Sequence, residues 1–343
     1  MPVYNAEAYV SAAVESILNQ TFTDFEFIIV DDGSSDGTPA ILDGFRDRRL
    51  VRLRHAQNQG YVYGLNEGLQ LARGQLIARL DADDIALVER FAQQVDLLQQ
   101  RPEVVLVGSA YHIIDEQGAL LRSYCPLQED PLIRWQMLFQ NSFIHSAVMF
   151  RLAPIRQHKL CYDPDFMPAE DYALWSQLLR YGEGANLPTP LVKHRRHSQQ
   201  ISQTSAQRQK RNADRVARAN LAALGYTCSD AELRILRDWQ FKFPRPLSMK
   251  EMATFRMSLS ILAKFVQQAD IDDATARRLR RQWIQHITGH TSILRQWQAL
   301  WRSGLLLAML QEDATTTLVT LTTQTLGRML RRTSSMQYGR SLQ

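Results

Sequence analysis

Along the first half of the chain, apolar residues recur at three- and four-residue steps in one stretch and run almost unbroken in the next. Val10, Ala13, Val14, Ile17 and Leu18 share one face of a predicted helix. Phe25 to Val30, interrupted only by Glu26, reads as a strand buried on both faces, and it stops at Asp31-Asp32-Gly33-Ser34-Ser35. Thr38 before Pro39 predicts an N-cap and a first helical position, opening a helix to about Arg46. Leu50 to His55 alternates as a strand, Asn58-Gln59-Gly60 is a turn, and Tyr61 to Arg73 is a helix ended by Gly74. Gln75 to Leu80 is a strand that stops at Asp81-Ala82-Asp83-Asp84. A helix from Glu89 to Gln100 and a strand from Val104 to Ala110 follow. This order specifies an α/β fold with a mostly parallel sheet and helices on both faces. Further on, Ser146 to Arg151 reads as a strand, and Tyr172 to Tyr181 as a helix with a stripe of Leu174, Trp175, Leu178 and Leu179.

From Ser205 the alternation is lost, which divides the chain into an α/β region, 1–205, and an all-helical region, 206–343. Ser229-x-x-Glu232 and Ser248-x-x-Glu251 are capping-box signatures, and Met252, Phe255, Leu259, Leu262 and Val266 form one apolar stripe. Pro244 and Pro246 mark a linker, Arg277 to Arg281 sits on a helix ending near Gly289, and Thr315 to Thr325 is a weak helix or a frayed tail.

Composition excludes several classes. Of 343 residues, 45% are hydrophobic and 22% charged, ordinary globular usage that argues against disorder. No apolar run is long enough for a membrane span, the best being Leu305 to Leu310. Met1 to Asn5 has neither a basic nor an apolar leader region, so no signal peptide is expected. Cys125, Cys161 and Cys228 are widely spaced, as in a cytosolic protein without a disulfide framework or zinc site. The net charge of +5 hides a division, since residues 1–205 carry −7 and residues 206–343 carry +12. A basic helical region suits an anionic membrane face, and it suits equally a bundle packed on the catalytic region or on a second copy. It lacks the interleaved aromatics of a nucleic-acid binder.

In open α/β sheets, ligands bind beyond the carboxyl ends of the strands. Two of the predicted strands end there in acidic clusters, after Val30 and after Leu80. Asp81 and Asp83, two apart on an extended segment, face the same side. Few, hard oxygen ligands suit Mg²⁺ or Mn²⁺ held jointly with substrate phosphates. Neither a phosphate-binding Gly-x-x-x-x-Gly-Lys-Ser/Thr nor a dinucleotide-binding Gly-x-Gly-x-x-Gly occurs.

Pro2-Val3-Tyr4-Asn5, Val30-Asp31-Asp32-Gly33-Ser34, Asn58-x-Gly60, Asn66-x-Gly68, Ala72-Arg73-Gly74, Leu80-Asp81-Ala82-Asp83-Asp84, Glu89-Arg90 and Val107-Gly108-Ser109 follow one another in a distinctive order and spacing. Glu170-Asp171-Tyr172-x-Leu174-Trp175 and Leu191-Val192-Lys193-x-Arg195-x-His197 with Gln200-Ile201-Ser202 come later. Over about residues 1–203 this series resembles the family-two glycosyltransferases, inverting enzymes with the GT-A fold. The resemblance implies a divalent-metal-dependent transfer of sugar from a nucleotide-sugar donor, UDP-linked, to a hydroxyl of a saccharide or lipid-linked acceptor. Surface polysaccharide or glycolipid assembly, in the cytoplasm and peripherally on the inner face of the plasma membrane, is the implied setting.

Residue by residue, the resemblance implies Asp83 as the direct metal ligand, and Asp81 on the ribose or the metal-bound water. Asp31 and Asp32 would read the nucleoside next to Tyr4, and for Asp32 the rival reading is a cap on Gly33. Asp171 is implied as the general base, with helix capping as the rival role for it and for Glu170. Glu170 itself is a candidate acceptor or phosphate contact. His197 and Arg195 would meet the metal or diphosphate from the far side. His145 would line the acceptor cleft or be a satisfied core histidine. Family members carry an apolar strand ahead of the Pro-Val-Tyr-Asn motif, so the first strand is expected to be cut short here, with upstream residues lost. Val88 in place of a usual Pro and His194 in place of a frequent Tyr are further departures. Two other readings of the acidic α/β region are a sugar nucleotidyltransferase and a nucleotide-sugar-binding module without turnover.

Overall fold

A computed structural model describes residues 1–198, 200, 204–237, 248–269, 271–289, 305–311 and 317. Ile201, Ser202, Pro244, Pro246 and the Thr315 to Thr325 segment apart from Thr317 lie outside the described residues. The chain forms two compact units, Met1–Ala217 and Arg218–Gln343.

In the first unit, β1 (Pro2–Val3), β2 (Phe27–Asp31) and β3 (Leu50–Arg54) make a parallel sheet in the order β1-β2-β3. The remaining strands form a second sheet: β4 (Leu76–Ala78), β5 (Ile85–Ala86), β6 (Val104–Ile114), β7 (Leu120–Tyr124), β8 (Met149–Arg151) and β9 (Glu183–Arg195). Its order is β4-β8-β6-β9-β5, with β7 paired to β6. Only β6 and β9 run parallel there, and the other pairs are antiparallel. A single, mostly parallel sheet therefore gives way to one parallel and one mixed sheet. The break has a local cause: β1 is two residues long and pairs with Val30 and Asp31 only. Between β2 and β4 lies a cavity of about 770 Å³, lined among others by Ile28, Leu65, Leu69, Ile77 and Phe91.

Helices α1 (Val10–Leu18), α2 (Thr38–Gly44), α3 (Tyr61–Leu71) and α4 (Arg90–Gln100) follow the predicted periodicity. The N-cap of α2 is Gly37 and not Thr38, whose hydroxyl instead accepts the Ala6 N–H at 2.8 Å. Gly64 lets α3 lie directly on β2, since a Cβ there would stand 3.3 Å from the Val30 side chain. The buried Arg90 guanidinium donates to the carbonyls of Arg79 at 2.7 Å and Val148 at 2.9 Å, tying α4 to the end of β4. Beyond α5 (Asp130–Met137) and α6 (Leu152–Gln157), α7 (Glu170–Leu178) buries Tyr172, Leu174, Trp175 and Leu178 in one core cluster. Ala213 and Val216 of α8 (Ala206–Ala223) join that cluster. This is why the first unit extends past residue 205.

The second unit contains α9 (Asp230–Arg237), α10 (Met249–Gln268) and α11 (Asp273–Gly289), and residues 305–311 are helical. Both capping boxes form, with Ser248 and Glu251 bonding reciprocally as Ser229 and Glu232 do. Met252, Phe255, Leu259 and Leu262 are buried on α10, and Phe265 takes the place expected for Val266. Among the described residues no helix is long and apolar enough to cross a membrane.

Candidate active site

The acidic turn after β4 is the electrostatic centre of the site. Arg79, itself buried, forms an ion pair with Asp81. Ser146 Oγ donates to Asp81 Oδ2 at 2.8 Å and accepts the Asp81 N–H at 3.1 Å. Burial acts to raise the Asp81 pKa, but the Arg79 charge outweighs it and holds this carboxyl well below the usual range. Asp83 has no such cation. Burial, then the charges of Asp84 and Asp81, push it up to about 6 against the hydrogen bonds from His197 and Gln200. His197 Nε2 lies 2.8 Å from Asp83 Oδ2. Asp84 is fully buried and accepts the Arg195 N–H at 2.8 Å, with His194 Nδ1 at 3.1 Å, so it joins this turn to the end of β9.

Asp81, Asp83 and Asp84 each offer an oxygen within 4.8 Å of the others, the one such group among the described residues. The set fits a divalent cation: the donors are hard carboxylate oxygens, and a positive ion would relieve the repulsion that raises Asp83.

Arg195, at the end of β9, adjoins the same turn. Its Nε donates to the Asp83 carbonyl at 3.0 Å, its Nη1 to the carbonyls of Asp115 and Glu116, and its guanidinium lies 4.7 Å over the Tyr9 ring. These bonds brace the loop through Nε and Nη1.

The two aspartates after β2 also separate. Asp32 is spent within the protein: Oδ1 stands 2.7 Å from His55 Nδ1 and accepts the Gln59 N–H, and Oδ2 accepts the Gly60 N–H at 2.7 Å. Its bonds go to His55, Gln59 and Gly60 and none of them to Gly33. It fixes the turn that begins α3, where Gly60 has φ +97°. Asp31 makes the Asx-type bond, accepting the Ser34 N–H on Oδ1 at 3.0 Å. Its buried Oδ2 has no hydrogen bond, and only the Arg54 Nε at 3.4 Å is near. An unsatisfied buried acceptor at the end of β2 is suited to a ligand N–H or hydroxyl. Tyr4, just past β1, is 48% exposed and leaves the same edge open.

The third group lies at the start of α7. Asp171 Oδ2 accepts the Asn141 side-chain N–H at 2.8 Å, and its Oδ1 accepts the Tyr172 N–H at 2.7 Å. Tyr61 donates its hydroxyl to Glu170 Oε2 at 2.8 Å. Burial raises both carboxyls above the ordinary range, and for Glu170 the Asp171 charge adds to it. The helix N-terminus was expected to favour the ionised form of Asp171, and burial outweighs it. A carboxylate with a raised pKa in a cleft is a candidate proton acceptor. His145 stands beside this group in an aromatic nest, with Nε2 3.2 Å from the Tyr162 hydroxyl and its ring 6.1 Å from that of Trp175, and burial keeps it neutral. Periodicity and spacing had not marked Tyr61, Arg79, Asn141 or Ser146, because each acts through a fold-made contact with a residue distant in sequence.

The family described as glycosyl transferase family 2 matches residues 1–158. An uncharacterized glycosyltransferase of Haemophilus influenzae is 34% identical over 228 residues, 64% of this chain and 71% of that protein. The UDP-Glc:alpha-D-GlcNAc-diphosphoundecaprenol beta-1,3-glucosyltransferase WfgD of Escherichia coli is 29% identical over 180-odd residues, namely 182, covering 52% of this chain and 68% of WfgD. Among solved structures, S. aureus TarS 1-349 in complex with UDP-GlcNAc superposes with a TM-score of 0.54 at 16% identity, over 91% of this chain and 90% of that one. That likeness establishes the GT-A fold. Fold, motif series and relatives agree: the chain belongs to glycosyltransferase family 2 and is a transferase.

Proposed function

We propose that this enzyme moves a sugar from a UDP-linked donor to a hydroxyl of a saccharide or lipid-linked acceptor, with inversion and with the help of Mg²⁺ or Mn²⁺. The observation that carries the reading is the arrangement of two unlike carboxylate groups, the Asp81-Asp83-Asp84 turn and the Glu170-Asp171 pair, at one site. Asp83, with Asp81 beside it and His197 at its edge, would hold the cation. A bound cation would supply charge stabilisation to the departing diphosphate. Asp31 Oδ2 is the acceptor for a nucleoside N–H or hydroxyl, and Tyr4 is free to cover it. Asp32 sets the loop on which that ligand rests. Asp171 takes the proton of the attacking hydroxyl, so that bond formation at the sugar carbon and loss of the diphosphate occur in one displacement, which inverts that carbon. His145 and Glu170 line the acceptor side.

The donor nucleotide and the lipid-linked acceptor are supported by the relative WfgD, whose name specifies both, and with them a role in cell-surface polysaccharide or glycolipid assembly. A basic exposed face on α8, including Arg208 and Arg211, supports docking at the anionic inner face of the plasma membrane from the cytoplasm. Nucleotidyl transfer and binding without turnover lose their ground once the chain is placed in a family of glycosyltransferases.

Asp83→Ala, assayed for UDP binding with and without Mn²⁺, tests the metal reading. The unaltered enzyme should bind UDP more tightly with Mn²⁺ and the variant should not. Equal metal enhancement in both would refute it.

A further inference from the structure

Tyr9 stands half-buried at the N-cap of α1. Its backbone is fixed on both sides: the N–H donates to the Ala6 carbonyl at 3.0 Å, and the carbonyl accepts the Ala13 N–H at 3.2 Å. The residues just before it are fastened to the loop after β2. Asn5 donates its N–H to Ser34 Oγ at 2.9 Å and accepts the Ser35 N–H on Oδ1 at 2.9 Å. The N–H groups of Ala6 and Glu7 donate to Thr38 Oγ1 at 2.8 Å and Asp36 Oδ2 at 3.1 Å. The Tyr9 ring is therefore carried by a backbone with little freedom of its own.

From there the ring reaches two residues that both hold Asp83. The Arg195 guanidinium lies 4.7 Å from the ring centroid, and Arg195 Nε donates to the Asp83 carbonyl at 3.0 Å. The His197 ring lies 5.2 Å away, tilted by 41°, and His197 Nε2 stands 2.8 Å from Asp83 Oδ2. Both spacings fall within the range of attractive cation–π and aromatic contacts. Gln200 reaches the same Oδ2 at 3.4 Å and donates to the Arg195 carbonyl, which ties residues 195–200 to the turn. An imidazole turns about two side-chain bonds, and a single contact at Nε2 leaves the tilt of its plane open. A ring packed beside it removes that freedom.

We propose that Tyr9 is a positioning residue for the cation: its ring, held by Arg195, keeps the His197 imidazole against Asp83, so that carboxylate and imidazole stand ready for Mg²⁺ or Mn²⁺ together. This rests on the reading of Asp83 as the metal ligand. Both contacts belong to the ring, so phenylalanine retains them. The bonds to the loop after β2 are made by residues 5–7, so loss of the ring leaves the Asp31 side of the site in place.

The test titrates Mn²⁺ into the full chain, with and without UDP, and reads free Mn²⁺ from its electron paramagnetic resonance signal. Tyr9→Leu should weaken Mn²⁺ binding by about threefold to tenfold, the worth of one lost aromatic pair. Tyr9→Phe should bind Mn²⁺ as the parent does. UDP affinity measured in EDTA should not change in either variant, whereas a merely structural role would lower it together with Mn²⁺ affinity. His197→Ala should weaken Mn²⁺ at least as much as Tyr9→Leu. The two substitutions combined should go no further than His197→Ala alone, the mark of residues acting through one interaction. Should Tyr9→Leu not fold, Tyr9→Gln carries the same expectation with a chain that also lacks the ring. Mn²⁺ affinity unmoved or raised in Tyr9→Leu, an equal loss in Tyr9→Phe, or additive effects with His197→Ala would each overturn the inference. Asp83→Ala separates the two readings: Mn²⁺ bound as in the parent defeats the metal assignment itself, and Mn²⁺ lost there but kept in Tyr9→Leu defeats only the role of Tyr9.

Discussion

Asn141 holds Asp171 in place through a 2.8 Å bond to Oδ2, while its own Oδ1 accepts the Phe143 N–H at 3.1 Å. A side chain anchored at both ends in this way fixes the direction of the Asp171 carboxylate, whose Oδ1 stays on the α7 backbone.

Asp171→Asn should therefore keep the fold and donor binding while transfer falls by roughly 10²–10⁴-fold, the usual worth of a positioned general base. Asn141→Ala should lower kcat less. In the unaltered enzyme the acid limb should lie near pH 6, because burial raises Asp171 to about 6 and the group must be ionised to act. A rate profile flat down to pH 4.5, or Asp171→Asn activity within a few-fold of the parent, would make this residue a cap alone.

His55 bridges two carboxylates, Asp32 at 2.7 Å and Glu67 at 2.8 Å. The Asp32 bond, against some loss from burial and with help from Glu67, raises its pKa. A histidine raised in the folded state contributes stability that is fully present below its unfolded pKa of about 6.5 and is lost as pH rises through the folded value. His55→Gln should cost about 2 kcal/mol at pH 6, from charge-assisted hydrogen bonds, and the gap should narrow toward pH 9. Urea titrations at both pH values would check it, and a gap that widens with pH would contradict the imidazolium bridge.

Two glycines should respond in opposite directions to alanine. A Cβ at Gly68 in α3 meets nothing within 4 Å, so Gly68→Ala should stabilise by roughly 0.5–1 kcal/mol through helix propensity. At Gly108 in β6 a Cβ would fall 2.1 Å from Asn186 Oδ1 and 2.9 Å from the Phe143 ring, and Gly108→Ala should cost about 1–3 kcal/mol by overpacking. Thermal unfolding of the two variants gives the signs directly.

The +12 charge of residues 206–343 sets a further expectation. The full chain should sediment with anionic vesicles at low salt and be released as the Debye length shortens from about 10 Å at 0.1 M to about 3 Å at 1 M. Arg208→Gln with Arg211→Gln should weaken that binding. Retention at 1 M salt would point instead to insertion of the apolar 305–311 helix.

Much of the catalytic unit was legible in its sequence wherever one element determines one pattern. The α1 stripe, the β2 run and the two acidic turns fall where periodicity places them. Strand direction was not legible, because an apolar run such as Ser146 to Arg151 looks alike in parallel and antiparallel pairing. The strand over β8 was read, and its antiparallel pairing between β4 and β6 escaped. The roles of paired aspartates were not legible either. Asp31 and Asp32 are identical and adjacent, yet the pleat turns one toward the open edge and the other toward His55 and Gly60. Motif resemblance pointed to these residues, and only the fold shows which hydrogen bonds each one makes.

Helix α3 sends three polar side chains to three places: Tyr61 to Glu170, Glu67 to His55, and Asn66 to both the N–H and the carbonyl of Tyr162. A helix advances each side chain by about 100° per residue, so one residue added or removed between Tyr61 and Asn66 turns the latter two away from their partners while the first stays put. Length inside this helix is therefore as constrained as residue identity. The hairpin between β6 and β7 is tied at its entry, where Arg195 Nη1 holds the carbonyls of Asp115 and Glu116 and Asp115 Oδ1 accepts the N–H groups of Gln117 and Ala119. Insertions and deletions in this chain should accordingly be absent from 61–67.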